Sequence, residues 1–461
     1  MPIVGAFIVP HPPIIIPEIG RGQEKETQKT LDAYEEVAKR IERLKPDTIV
    51  VTSPHSILYS DYIHLSPGRK AEGSFKDFGV SNVRMAVDYD EDLVQDIISM
   101  AEEKGISAGT RGERSKLLDH GTMVPLYFIN QRYSDYKLVR ISLSGLSLLT
   151  HYEFGQCIKK AVAMSDKRVV LVASGDLSHK LKEDGPYGLS EEGPIFDKEI
   201  TEAMAVGDFM KFLSFDENFC EAAAECGLRS FIIMSGALDG KSVSSELLSY
   251  EGPFGVGYAV AAYEIIGVDE NRQFGKRHEQ IEEMKLKNLK QNEDRYVRLA
   301  RQALEYFVRN QTNMSRPHDL PEELTAKRAG VFVSLKMDGR LRGCIGTIYP
   351  FTQSIADEIM RNAVLSGTED PRFEPVKEEE LPRLVYSVDV LGDVEHISSM
   401  EELDTKRYGV IVRTKNKSGL LLPNLAGIDS PVEQVNIALK KAGISHDEEY
   451  EMDRFEVVRH F

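Results

Sequence analysis

The chain has 461 residues, a formal net charge of −17 at pH 7, 41% hydrophobic and 28% charged residues. That length exceeds one ordinary core and points to two domains or three. The acidic balance argues against non-specific nucleic-acid binding, which needs a basic surface to release counterions.

In chain order, "IVGAFIVP" is a short continuous apolar run, as expected of a buried strand. In "QEKETQKTLDAYEEVAKRIERL", Leu31, Tyr34, Val37, Ile41 and Leu44 recur at three- and four-residue intervals, one apolar helix face. "TIVVTS" completes a β-α-β unit. "KLVRISLS", the helix-like "YEFGQCIKKAVAMS" and "RVVLVASGD" repeat the alternation, and "GPFGVGYAVAAYEII" ends it with a strand. Residues 1–265 therefore predict an α/β domain with helices on a sheet. Residues 266–289 are almost all charged or amide and read as a linker or a solvated helix. Residues 290–461 open on the amphipathic helix "YVRLARQALEYFVRN". They continue with "GVFVSLKM", "RLRGCIGTI", "LVYSVDVLG", "YGVIVRT" and "SGLLLP", the pattern of a smaller α+β domain.

Four cysteines without a CxxC pair make no disulfide framework in a chain this long. The N-terminal stretch lacks a basic segment and is broken by Pro12, Pro13 and Pro17, which makes a poor signal peptide. No apolar run approaches the roughly 20 residues of a membrane span. The expectation is a cytoplasmic protein with no membrane or nucleic-acid partner.

The chemistry concentrates at predicted strand ends. His11 follows the first strand in "VPHPP", and His55 follows the second in "SPHS". Asp176 and His179 follow a third in "SGDLSH". Sites in open α/β sheets form outside the carboxyl ends of the strands. Two neutral imidazoles suit Fe, Zn, Cu or Ni, and a third, anionic ligand is expected with them. Glu225 and Cys226, ahead of the apolar segment "LRSFIIMSGAL", are the candidates. A thiol near a helix N-terminus is expected to have its thiolate favoured by the dipole. His120 in "DHGTMVPL" reads either as part of an Asp-His-Gly turn or as a hydrogen-bond donor to a bound ligand.

In the second half, "GRLRGCIGT" joins a strand to a Gly-rich turn. Gly343 and Gly346 permit close backbone approach or positive φ, and Cys344 stands near Arg342, whose charge would favour a thiolate. A buried Cys in a tight turn is the structural alternative. The Gly spacing is not that of a phosphate loop. Glu369, Asp370 and Arg372 are candidates for lining the same groove.

Taken in order, "VPHPP", "SPHS", "DHGTMVPL", "SGDLSH" and "AAECGLRS" resemble the LigB-type class III extradiol dioxygenases, and especially their Memo-like branch, over residues 1–265. The resemblance implies that His11 and His55 match the two histidine ligands of Fe(II). His179 matches the acid/base histidine, Asp176 belongs to its motif, and His120 orients substrate. Cys226 falls where the dioxygenases have glutamate and Memo-like proteins have cysteine. Glu225, the alternative carboxylate, would point about 100° away on a helix. A thiolate there would favour softer metals, so Zn or Cu stand beside Fe(II). The implied substrate is a small catechol-like aromatic together with O₂. "LRGCIG", with "DPRFEPV" and "LVYSVDVL", resembles the AMMECR-type domain over residues 290–461, a family that brings no firmly established reaction. Chains that join the two domains resemble the AmmeMemoRadiSam system, which implies a separate radical-SAM partner. A metal-binding accessory role beside that partner is the alternative to a ring-cleaving oxidoreductase.

Overall fold

A computed structural model describes residues 2–461 except 338, 426 and 446. The chain divides into two compact units, Met1–Gln280 and Ile281–Phe461.

The first unit is built on ten strands: β1 Ile3–Val9, β2 Thr48–Ser53, β3 Ile63–His64, β4 Lys70–Phe75, β5 Val80–Asp88, β6 Ala108–Gly109, β7 Lys137–Ser142, β8 Val169–Ser174, β9 Lys241–Glu251 and β10 Tyr258–Val268. Six of them form one mixed sheet in the order β7-β2-β8-β1-β10-β9. The first four of that order are mutually parallel, and β10 and β9 are antiparallel. This is the α/β sheet flanked by helices that the alternation predicts. The central strands β1, β2 and β8 are buried along nearly their whole length, which is why they read as continuous apolar runs. Helix Gln28–Leu44 lays Tyr34, Val37 and Ile41 on one face of the sheet. Helices Leu148–Met164 and Leu228–Ala237 pack on the other. Those two helices cross where Gly155 meets Gly236. A Cβ on Gly155 would stand 2.1 Å from the Ile233 carbonyl oxygen, so no larger residue fits the crossing.

The strand order has one consequence for the site. β8 lies between β2 and β1, so three parallel strands end side by side, with Val9 level with Ser174. His11, His55 and Asp176 each follow their strand's last residue by two positions. β4 and β5 make a separate hairpin whose tip, Lys76–Phe78, is a short 3-10 turn.

The second unit carries strands β11 Val331–Met337, β12 Arg340–Gly346, β13 Leu384–Leu391, β14 Glu395–Ile397, β15 Tyr408–Arg413, β16 Ser418–Leu421 and β17 Glu451–His460 in one antiparallel sheet. Helices Arg295–Asn310 and Ile355–Thr368 cover the β11–β13 face. This is the expected smaller α+β domain. Of the charged stretch 266–289 read as linker or solvated helix, residues 266–268 finish β10, Glu270–Arg272 form a 3-10 turn, and 274–289 belong to the helix Phe274–Asn292. Among the described residues, no helix is long and apolar enough to cross a membrane.

Candidate metal centre

Strands in a sheet lie about 4.8 Å apart, so residues past β1 and β2 are separated by the width of β8. His11 and His55 close that gap by leaning over the end of β8. Their Nε2 atoms stand 2.9 Å apart, and the Cys226 Sγ lies 3.6 Å from the His11 Nε2. One ligand atom from each of the three residues falls within 4.8 Å of the other two.

Hydrogen bonds orient the first histidine. Ser174, the last residue of β8, donates its hydroxyl proton to the Gly121 carbonyl (2.6 Å). A carbonyl can only accept, so the Ser174 Oγ must accept from the His11 Nδ1–H at 2.9 Å. His11 is therefore the Nδ1–H tautomer with its Nε2 lone pair toward His55 and Cys226. The His11 main-chain N–H is fixed as well, donating to Asp176 Oδ1 at 2.7 Å. Tyr34 donates its hydroxyl to the Pro10 carbonyl, which pins the turn that carries His11. This is the usual second-layer support of a metal-binding imidazole. Burial holds the His11 pKa well below its ordinary value, assisted by His55, His120 and His179. Burial and the neighbouring His120 take His55 down to about 4. Both rings are neutral at pH 7 and able to ligate.

The third donor comes from the turn ahead of helix Leu228–Ala237. Sequence reasoning left Glu225 and Cys226 open. The Glu225 carboxylate caps that helix, with Oε2 accepting from the Leu228 N–H at 2.6 Å, while the Cys226 sulfur faces the histidines. The expected dipole-favoured thiolate is not found. Burial, then Asp176 and Glu225, push the Cys226 thiol well above its ordinary value. Desolvation and two nearby carboxylates outweigh one helix end, and a bound cation would reverse that balance. The donor set is two neutral imidazoles whose Nε2 atoms face each other and one buried thiol beside them, and it fits a divalent transition metal.

His179 stands beside this group, close enough to depress the pKa of both His11 and His55. Its Nδ1 donates to the Ala224 carbonyl at 2.6 Å, leaving Nε2 as an acceptor. Ala224 holds φ 54°, the left-handed conformation that usually ends a helix on glycine. Burial pushes Asp176 up to about 7, against the His11 main-chain hydrogen bond. The β8 end and residues 223–226 are stitched together: Ser178 Oγ donates to the Ala223 carbonyl (2.8 Å), and Asp176 N–H donates to Cys226 Sγ (3.4 Å).

His120 lies at 4.0 Å centroid distance from His55, its ring tilted by 31°, and begins helix His120–Asn130. Asp119 caps that helix at Thr122 and also accepts from Ser53 Oγ at 2.5 Å, tying the cap to the end of β2. A cleft of about 680 Å³ opens on His55 and His120, walled by Phe78, Met85 and Met123 from the hairpin and the helix, with Arg84 at its side. Phe78 meets the His120 ring edge to face at 5.3 Å. Sequence reasoning missed Phe78 and the hairpin, although Val83, Met85 and Val87 alternate along β5, because no continuous apolar run marks either strand. It also missed Ser174, although that residue opens the quoted "SGDLSH".

In the second unit, Arg342 makes a two-point pair with Glu380 (2.7 and 3.0 Å) rather than turning to the thiol. Cys344 is half-buried, with Ser334 Oγ 3.2 Å from its sulfur and its N–H on Asp370 Oδ2 at 2.9 Å. Arg372 holds the Asp370 carboxyl far below the usual carboxylate range. Glu369 is exposed at the helix end. Gly343 and Gly346 answer to packing: a Cβ on Gly343 would stand 2.1 Å from the Ser366 carbonyl oxygen, and one on Gly346 2.2 Å from the Phe332 ring. Neither has positive φ.

Residues 5–261 match the family model described as the catalytic LigB subunit of aromatic ring-opening dioxygenase, and residues 297–460 match the AMMECR1 model. Protein CA_C1420 of Clostridium acetobutylicum is 43% identical over 468 residues, covering 100% of this chain and 99% of its own. A protein of Thermotoga maritima is 46% identical over 36% of this chain and 96% of its own. Among solved structures, uncharacterized protein PH0010 from Pyrococcus horikoshii is 34% identical over 36% of this chain and 88% of its own, with a TM-score of 0.34. Uncharacterized protein JW3007 from Escherichia coli K12 is 14% identical over 56% of this chain and 99% of its own, with a TM-score of 0.39.

Proposed function

The chain belongs to the family of the catalytic LigB subunit of aromatic ring-opening dioxygenases and carries an AMMECR1 domain besides, and from that membership we propose that it is a non-haem iron-dependent oxidoreductase of the extradiol type. The observation that supports this reading most is the convergence of His11, His55 and Cys226, with neutral rings, over the ends of three adjoining strands. Under it, these three residues hold Fe(II), Zn or Cu being the other metals such donors suit. When bound, the ion supplies a Lewis acid that acidifies a coordinated hydroxyl and brings an ortho-diol and O₂ together.

The chain's own groups do the rest. His179 Nε2 takes the proton of the substrate hydroxyl and later returns it. Its Nδ1–H on the Ala224 carbonyl keeps the ring oriented and supports the imidazolium formed meanwhile. His120 orients the substrate oxygen from the cleft side. Phe78, Met85 and Met123 supply an apolar wall for a flat ring. Asp176 holds the backbone of His11. The dioxygenase module is taken as residues 1–265, joined through 266–289 to the AMMECR-type module 290–461, to which no reaction is assigned.

Cys226 in the place of a carboxylate favours a second reading, a metal-binding accessory protein working with a separate radical-SAM enzyme and without ring cleavage. The test is to load the full chain anaerobically with Fe(II), mix it with a panel of catechols and admit O₂. A yellow ring-opened product is expected. Stoichiometric metal without turnover across the panel would leave the accessory reading.

A further inference from the structure

The "DHGTMVPL" stretch contains a residue that no role has absorbed, Pro125, which sits inside helix His120–Asn130. Proline has no N–H, and its ring pushes away the carbonyl four residues earlier. That carbonyl belongs to Gly121. In an uninterrupted helix it would accept from residue 125. Here it accepts from Ser174 Oγ at 2.6 Å. Ser174 has one hydroxyl proton and spends it on Gly121, so its lone pair receives the His11 Nδ1–H at 2.9 Å. The last step follows from counting donors and acceptors, and the first from the missing N–H at 125, which leaves the Gly121 oxygen without a helix donor to compete with Ser174.

We propose that Pro125 is a positioning residue for His11: by freeing the Gly121 carbonyl it fixes the direction of the Ser174 hydroxyl, and through it the imidazole tautomer whose Nε2 lone pair faces His55 and Cys226. The proposal rests on the reading of His11 as a metal ligand only for its functional meaning. The relay itself is a property of the metal-free chain.

A purely structural proline and a relay proline make opposite statements about Pro125→Ala. An alanine restores the N–H that the Gly121 carbonyl lacks, so the helix gains a hydrogen bond and thermal stability stays level or rises. Ser174 then shares that oxygen with the restored N–H, which loosens its hydroxyl, lets it donate to His11 Nδ1 part of the time, and lets the ring proton populate Nε2, from which it must shift back to Nδ1 before ligation. The full chain is labelled with ¹⁵N-histidine, and the His11 signal is identified by its loss in His11→Gln. In the metal-free wild type the expected spectrum is a single Nδ1–H tautomer. In Pro125→Ala a mixed or Nε2–H state is expected, with Zn(II) affinity reduced about 10- to 100-fold, the usual effect of removing a ligand's outer partner. Ser174→Ala, which breaks the relay at its middle, is read in the same way and serves if Pro125→Ala fails to fold. A wild-type His11 protonated at Nε2, or a Pro125→Ala chain with unchanged tautomer and unchanged Zn(II) affinity, overturns the proposal. So does an unchanged Ser174→Ala chain. The tautomer is read without metal or turnover, so failure of the relay and failure of the dioxygenase reading are separate results.

Discussion

The Nε2 atoms of His11 and His55 face each other at 2.9 Å across the end of β8, although the residues are 44 positions apart in the chain. Because the His11 Nε2 carries no proton, this contact has His55 donating its Nε2–H to the His11 lone pair. An ion bound there takes both lone pairs, and His55 moves its proton to Nδ1 without losing it.

That bookkeeping gives a number for protons released on metal binding. His11 and His55 are neutral before and after, because burial holds their pKa values down. Cys226 is protonated beforehand, because burial raises its thiol. At pH 8, where Asp176 with its pKa about 7 is already mostly ionised, about one proton per ion is expected. Calorimetry in buffers of different ionisation heat measures it. In Cys226→Ser the release should vanish, and a release untouched by that substitution would contradict thiolate ligation.

Asp197 makes stability depend on pH. Burial pushes its carboxyl up to about 7, against hydrogen bonds from the Ser178 N–H and the Tyr250 hydroxyl. The folded value is above the ordinary aspartate value of 3.8, so the folded chain binds the extra proton. This stabilisation is fully present below about pH 4 and is lost as pH rises through about 7. Asp197→Asn should therefore exceed the wild type above pH 8 by on the order of 1–4 kcal/mol, with a flatter profile of melting temperature against pH. An unaltered slope would refute it.

Gly175 lets the β8 end touch the turn carrying Cys226. A Cβ at Gly175 would stand 2.2 Å from the Gly227 Cα and 3.1 Å from the Phe231 ring. Gly175→Ala is expected to cost about 1–3 kcal/mol as overpacking and to lower metal occupancy by moving Cys226. Urea unfolding and metal analysis of the same sample check both. Full occupancy at unchanged stability would show that the contact is slack.

Glu358, in the second unit, accepts from Thr347 Oγ1 (2.7 Å), the Phe351 N–H (3.0 Å), and the Thr352 N–H and Oγ1 (2.7 Å each) while fully buried. Removing it takes this acceptor from four part-buried donors, each costing up to about 1–3 kcal/mol. Glu358→Ala should destabilise this unit by about 3 kcal/mol or more, and Glu358→Gln by less. Equal losses in a denaturant titration would show that the carboxylate's charge and second oxygen are immaterial.

The strands that line the site were legible because burial on both faces writes itself as unbroken apolar runs, as in "IVGAFIVP" and "RVVLVAS". The helix Gln28–Leu44 was legible because one buried face recurs at helical spacing. β4, β5, β9 and β17 went unread. They are partly exposed, so cross-strand pairing holds them more than a continuous apolar run does.

The sequence by itself determined that His11, His55 and Asp176 follow strand ends, since local periodicity marks where a strand stops. Only the tertiary structure decided that those ends adjoin, because the order β2-β8-β1 depends on crossovers spanning over a hundred residues. It also separated Glu225 from Cys226 in space. One turn of backbone sent the carboxylate to the helix N–H groups and the sulfur to the histidines. Burial, a property of the assembled fold, then set the thiol's pKa against the direction that the helix end alone would give.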